Sequence, residues 1–416
     1  MIRIWLLFVT ISISCVVSAQ ELPPVAHEAC LKLVFMGDIM GHDTQIASAL
    51  ATGDSGYDYQ PCFQYLEPYL TDADLVIGNL EVTLAGPPFK GYPQFSSPDE
   101  LADALKEAGF DILVTANNHA FDRRVAGLER TLDQLDRRGI LHTGTFTGPD
   151  KRSLHYPLVV EKHGIRIALL NYTYGTNGLK VTPPVIVNRI DTALMHRDLV
   201  KAASAEPDFI LVTMHWGNEY QRTESDQQRA LASFLFEHGT DVIIGSHPHV
   251  VQPIRGEGKG NLVAYSMGNL ISNQRTRYRD GGIAFELELV KRVSGDRGLR
   301  PVTGDSSYSS DRGDRGDSSD RGVTGFAVTG TSAGDMSDRG DREVETVEIS
   351  SFGYLPLWVY KPVTKKGTLF TLVPASADSA SVPGLRMSDE ERRKMSQFLE
   401  DTRNNLEGHW EVEPYW

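Results

Sequence analysis

The sequence predicts a layered α/β fold in which β-sheets are flanked by helices, and two observations carry that expectation. Short apolar runs alternate with amphipathic stretches from Leu31 to about Val290. Several of those runs are almost wholly apolar, as strands covered on both faces should be. Strand–helix alternation builds layered domains, and such domains gather their ligand sites at the C-terminal ends of the strands.

The expected strands, in order, are 31–36, 74–77, 111–115, 165–170, 209–213, 242–244 and 262–265. Between 97 and 108 a helix is expected. Ser97 reads as its N-cap, Pro98 opens the first turn and Glu100 follows three residues on. Leu101, Ala104, Leu105 and Ala108 then share a face, and Gly109 stops the run. The stretch 226–238 repeats the design, with Leu231, Phe234 and Leu235 on one face before Gly239. After a polar interval the β-rich character resumes at 346–360 and 369–373. A helix over 388–408 opens on the capping box Ser388-Asp389-Glu390-Glu391.

Two segments fall outside this pattern. Residues 1–19 carry Arg3, an apolar run from Ile4 to Val17 and then Ser18-Ala19, the layout of a secretory signal peptide. The run is shorter than the roughly 20 residues of a spanning helix. Cleavage after Ala19 and export to a periplasmic or extracellular compartment are therefore expected, with a retained membrane anchor or a lipoprotein lipidated at Cys15 as the alternatives. Residues 295–342 are rich in Ser, Gly, Asp and Arg, and Asp-Arg-Gly recurs from Asp296 to Asp338. Such a composition cannot bury enough apolar surface to offset the entropy of ordering, so a disordered loop insertion is expected there.

The chain has 416 residues and a net charge of -14. That length is enough for a large core. The charge argues against nucleic acid, whose phosphates need a basic surface, and against simple docking on an anionic membrane. Cys30 and Cys62 would remain after cleavage. An exported protein could pair them, and two free thiols are the equal alternative.

Six segments hold polar residues where loops should begin. They are Gly37-Asp38-Ile39-Met40-Gly41-His42, Gly78-Asn79-Leu80-Glu81, Asn117-Asn118-His119, His215-Trp216-Gly217-Asn218-Glu219, Gly245-Ser246-His247-Pro248-His249 and Ser266-Met267-Gly268-Asn269. Singly, each fits a helix cap, a turn or a satisfied polar residue. Together they would deliver carboxylates, amides and imidazoles to one sheet edge. That donor set suits one or two divalent ions such as Mn, Zn or Fe. His247 and His249 flank Pro248, and an extended backbone there would point both imidazoles the same way.

The order of these segments resembles the calcineurin-like metallophosphatases, and their wording resembles the CapA family, bacterial proteins linked to poly-γ-glutamate capsule synthesis. The resemblance runs from about Leu31 to Val290 and resumes at about 345–373, giving a metallophosphatase-like domain over 30–376. It implies that Asp38 is the first metal-binding carboxylate. Asn118 and His215 match single ligands, and His247 and His249 match the paired ligands. His119 matches the group that protonates a leaving group, so Asp38 and His119 are the expected catalytic residues.

Two positions depart from the pattern. Met40 replaces a His, with His42 two residues on. Asn79 replaces the carboxylate that bridges two metals, with Glu81 two residues on. Asn79 and Glu81 complete the expected metal set, and Asp122 and Glu219 are candidate partners that would orient an imidazole. The resemblance implies a metal-dependent hydrolase or transferase acting on an anionic envelope polymer such as poly-γ-glutamate, with a capsule-synthesis membrane complex as a further partner. The departures favour the alternative, a non-catalytic polymer-binding accessory of capsule export.

Overall fold

A computed structural model describes residues 28–52, 56–257, 261–295, 343–365, 367–374 and 385–412. The expected signal peptide, and all of the expected insertion beyond Gly295, lie outside the described residues.

The apolar runs assemble into two large sheets. The first contains β1 (Glu28–Ile39), β2 (Leu75–Leu80), β3 (Ile112–Val114), β4 (Leu141–Thr143), β13 (Asn269–Ile271), β14 (Gly281–Gly295), β15 (Glu343–Tyr360) and β18 (Thr371–Pro374). Its order is β18-β15-β14-β1-β2-β3-β4. Strands β1 to β4 run parallel, whereas β14, β15 and β18 add antiparallel neighbours. The short β13 pairs in parallel with the C-terminal end of β1, placing Asn269 opposite Asp38.

The second sheet contains β6 (Leu158–Lys162), β7 (Ile165–Thr173), β9 (Phe209–His215), β10 (Val242–Ser246), β11 (Ile254–Glu257) and β12 (Asn261–Ala264), in the order β11-β12-β10-β9-β7-β6. Its four central strands are parallel. Two small pairs complete the described strands: β5 (Thr145–Phe146) with β8 (Ile186–Val187), and β16 (Val363–Thr364) with β17 (Gly367–Thr368).

Strand periodicity decides what lies between the layers. Leu31, Leu33, Phe35, Leu75, Ile77, Ile112 and Val114 point from the first sheet into one core with Ile165, Ile167, Leu169, Phe209, Leu211, Val242 and Ile244 of the second. The alternate residues face outward under helices. Val34, Met36, Val76 and Leu113 meet Leu101, Ala104 and Leu105 of the helix Glu100–Glu107. On the far side, Leu170, Ile210, Val212 and Ile243 meet Met195, Leu199, Ala232 and Leu235. The result is helix, sheet, sheet, helix, the layered α/β fold expected. Each such fully buried aliphatic or aromatic side chain contributes roughly 1.5–3 kcal/mol.

Helix starts separate what sequence could and could not see. Ser225 and Ser388 both cap their helices through complete capping boxes with Gln228 and Glu391. Ser97 does not cap. The helix begins at Glu100 behind Asp99, which makes no side-chain cap bond. The reason is competition: Asp99 is taken in two 2.7 Å bonds by Arg130. Ser97 sits two residues too early, tied through its amide to the Thr83 carbonyl, and its hydroxyl is buried without a partner.

Cys30 is exposed and Cys62 buried, and both are free thiols. Among the described residues, no helix is long and apolar enough to cross a membrane.

Candidate metal centre

The two sheets present the C-terminal ends of their parallel strands on the same side, and the polar segments meet there. Asp38 is the last residue but one of β1. A methyl group on the preceding Gly37 would overlap the Gly268 carbonyl oxygen, so glycine is what lets β13 lie against β1 and lets the Asp38 amide donate to that carbonyl at 3.0 Å. The Asp38 carboxylate is fully buried. Its Oδ1 accepts from the Asn79 amide at 2.8 Å, and its Oδ2 lies 3.0 Å from His249 Nδ1 and 3.3 Å from the His247 amide.

Glu81 follows β2 and is also fully buried, with neither carboxylate oxygen hydrogen-bonded. Its Oε1 lies 3.6 Å from His215 Nε2 and 3.9 Å from His249 Nε2. Burial, then the negative charge of Asp38, raise its pKa well above the ordinary carboxylate value.

His215 ends β9. It faces Asn79 Nδ2 at 3.2 Å through Nδ1 and Asn118 Oδ1 at 2.9 Å through Nε2. Burial, then the imidazoles of His247, His249 and His119, push its pKa well below the usual value. His247 and His249 follow β10. Burial first, and then His249, bring the His247 pKa down to about 4, and its Nδ1 is buried without a partner. The His215 and His247 imidazoles are therefore held neutral, the form that can ligate a cation.

The extended backbone expected around Pro248 is not what forms. His247 has φ 99° and His249 φ 55°, both left-handed. The chain must double back because Pro248 and its neighbours are pinned: the Tyr220 amide donates to the Pro248 carbonyl at 2.8 Å and the Trp216 amide to Ser246. Non-glycine residues in this region cost of order 1–3 kcal/mol each and cluster at functional sites. The rings still end on the same side, their centroids 6.0 Å apart.

Two overlapping triads result. Ligand atoms of Glu81, His247 and His249 all lie within 4.8 Å of one another, and so do those of Asp38, Glu81 and His215. Glu81 belongs to both. A buried carboxylate with no hydrogen-bonded oxygen, beside the imidazoles of His215, His247 and His249, fits a divalent cation, since hard oxygens and imidazole nitrogens together are a common donor set. This carboxylate–imidazole cluster is compatible with divalent metal binding.

The remaining sequence candidates fall in three places. His119 lies beside the cluster: its Nδ1 is 2.7 Å from Asp122 Oδ2, which also accepts from the Phe95 amide at 2.7 Å. Asp122 therefore orients His119. Asn79 and Asn118, both expected as ligands, lie within the cluster: Asn79 joins Asp38 to His215, and Asn118 joins His215 to Asn177. His42 is turned away toward Gln45 and the Asn273 amide, and Met40 is packed in the core. Glu219 is exposed and, among the described residues, hydrogen-bonds no imidazole; its carboxylate acts on the neighbouring Tyr220 hydroxyl, whose pKa it raises.

Sequence reasoning missed Tyr174, Tyr220 and the role of Asn269. Tyr174 lies 4.5 Å from the His247 ring and stacks on His215 at 6.3 Å, centroid to centroid. Asn269 Oδ1 lies 3.1 Å from His249 Nδ1. Tyr174 follows β7 directly, so the strand-end rule that found the histidines would have found it.

Two face-to-face sheets converging on a buried carboxylate–imidazole cluster define a layered α/β protein with a metal-centre type of site. The chain belongs to the family described as bacterial capsule synthesis protein PGA_cap, which matches residues 32–274. The CapA resemblance of the sequence motifs is thus borne out. The chain is similar to the PGA biosynthesis protein CapA of Bacillus subtilis (strain 168), at 31% identity over 286 residues, covering 65% of this chain and 71% of that protein. It is similar to the capsule biosynthesis protein CapA of Bacillus anthracis at 30% over 298 residues, covering 66% and 68%. Among solved structures it is similar to the calcineurin-like phosphoesterase YfkN from Bacillus subtilis over 65% of this chain and 87% of that one, with 14% identity and a TM-score of 0.40. A likeness at that level says nothing about chemistry.

Proposed function

We propose that this chain is an exported capsule-synthesis protein that acts as a metal-dependent hydrolase or transferase on an anionic envelope polymer. The relatives' names point to PGA and capsule biosynthesis; poly-γ-glutamate as the polymer and a capsule-synthesis membrane complex as the setting are part of the proposal. Export rests on the signal-like segment 1–19.

The observation that carries the reading is Glu81. A fully buried carboxylate with neither oxygen hydrogen-bonded is costly unless a cation compensates it, and the imidazoles of His215, His247 and His249 stand around it, the first two held neutral. One or two ions of Mn, Zn or Fe suit these donors. A divalent cation supplies Lewis-acid polarisation and acidifies water. The chain's own groups do the rest. Asp38, Glu81, His215, His247 and His249 would hold the cation. Asn79 and Asn118 keep Asp38 and His215 in place through their amides. His119, oriented by Asp122, is placed to hand a proton to a leaving group. Tyr174 covers one side of the imidazole cluster and limits access of water.

A binding role without turnover is the second reading. It is favoured by Asn79, a neutral amide hydrogen-bonded between Asp38 and His215, where a bridging carboxylate would serve a two-metal site better.

The test is metal analysis of the purified full chain. At least one transition metal per chain is expected, lost when His247 and His249 are both changed to Ala. A metal-free protein that stays metal-free when Mn, Zn and Fe are offered would overturn the reading.

A further inference from the structure

Three arginines follow β13 in quick succession, and two of them are spoken for. Arg275 donates to the Val359 carbonyl at 2.6 Å and lies over Trp358. Arg277 grips Asp401 through two 2.8 Å bonds. The nearby Arg222 donates to the Asp401 carbonyl. Arg279 is different. Its guanidinium stacks on the Tyr220 ring, Cζ 3.3 Å from the centroid, and among the described residues no carboxylate or carbonyl accepts from it. Among the described residues no salt bridge joins it to Glu219, the carboxylate at hand; burial, then the neighbouring Glu219, push the Tyr220 pKa up to about 12.

Two separate ties fix Arg279 against the metal centre. Its carbonyl accepts from Asn269 Nδ2 at 2.8 Å, and the same amide meets His249 through Oδ1. Its platform Tyr220 donates its backbone amide to Pro248, and the Tyr220 ring lies 6.1 Å from the His249 ring. Both ties end on the His247-Pro248-His249 loop. A guanidinium stacked by its face keeps its N–H fork free at the edge, and that fork matches a carboxylate or a phosphate. An unpaired cation in a chain of net charge -14 is not there to balance bulk charge, since acidic partners abound elsewhere on the surface.

We propose that Arg279, presented on Tyr220, binds an oxyanion of the substrate beside the carboxylate–imidazole centre. The inference deepens the functional reading above and rests on its claim that the substrate is anionic. A carboxylate of a γ-linked glutamyl chain and a phosphate share the chemistry Arg279 recognises.

The experiment is calorimetric titration of the full-length chain and its Arg279→Gln and Arg279→Lys variants with tri-γ-glutamate and with inorganic phosphate. Metal content and melting temperature are measured alongside. Loss of charge-assisted bonds should weaken binding of at least one probe about ten- to a hundredfold in the Gln variant. Lys, a point charge without the fork, should recover part of it, and metal content should match the wild type. Weakened tri-γ-glutamate binding alone identifies the carboxylate; weakened phosphate binding identifies the phosphate. If the Gln variant holds both probes as tightly as the wild type, or the wild type holds neither, the assignment of Arg279 is wrong. Should the Gln variant fail to fold, a Lys variant with unchanged affinity for both probes would equally contradict the forked contact. Absence of metal in the wild type undermines the hydrolase reading while leaving the anion titration to stand by itself.

Discussion

Changing Glu81 to Gln should stabilise the metal-free protein and cripple its response to metal, two effects of opposite sign from one substitution. The carboxylate is fully buried, neither oxygen is hydrogen-bonded, and Asp38 adds a second negative charge nearby. A buried polar group without partners costs about 1–3 kcal/mol, more when charged. Gln keeps the shape and removes the charge but leaves an amide to be satisfied, so the metal-free variant should gain part of that amount, on the order of 1 kcal/mol, and more as pH rises. In a domain this large, 1 kcal/mol moves Tm by roughly 2–4 °C. A ligand present at a hundredfold its Kd stabilises by about 2.7 kcal/mol. Wild type should show that rise with added Mn or Zn, and the variant, missing the residue common to both triads, should lose at least half of it. Thermal unfolding with chelator and with added metal reads both effects. A variant less stable than wild type with chelator, yet equally stabilised by metal, would refute the reasoning, because Glu81 would then be a structural residue satisfied in some other way.

Three further outcomes follow from the same geometry. His247 has a folded pKa of about 4, below that of the unfolded chain near 6.5; its stability contribution is thus complete above pH 6.5 and lost as pH falls toward 4. Glu81 is shifted the opposite way and loses stability as pH rises, so the cleanest measurement is urea unfolding of metal-free Glu81→Gln with and without His247→Gln, where the second change should flatten the loss between pH 6.5 and 4. Changing Asp122 to Asn should lower turnover of a phosphodiester or of poly-γ-glutamate about 10–100-fold, the usual cost of losing an orienting partner, with metal content unchanged by elemental analysis. Gly245→Ala should destabilise by about 3 kcal/mol, the upper end for overpacking, because the added methyl would overlap the Tyr265 carbonyl and crowd the Trp216 indole nitrogen; a denaturation midpoint equal to that of wild type would show that β10 and β12 can part more easily than their packing suggests.

The layered fold was legible because its strands are buried on both faces. The runs at 31–36, 209–213 and 242–244 are nearly continuous apolar segments, and each lies in a strand of one sheet or the other. The division into two sheets was not legible, since nothing in those runs says which face meets which partner. Asp38, Glu81, His215, His247 and His249 could be singled out because metal-ligating residue types recur at one strand end after another, a joint pattern that caps and turns do not explain. How they meet could not be read. The left-handed turn at His247 and His249 is imposed by bonds to Pro248 and Ser246 from residues some thirty positions away, a tertiary effect invisible to a local extended-chain rule. The failed cap at Ser97 has the same origin, since Arg130 claims Asp99 from another helix. Tyr220 and Arg279 lay hidden because a surface Tyr and a half-buried Arg are ordinary until their contact is seen.

The central claim is that Glu81 joins two triads around a cation. An anomalous difference map from crystals grown with Mn tests it most directly. The account predicts a peak at about 2.0–2.3 Å from Glu81 and from His247 and His249, or from Asp38 and His215. A peak coordinated elsewhere on the molecule, or a fully ordered cluster with no peak at saturating Mn, would contradict it.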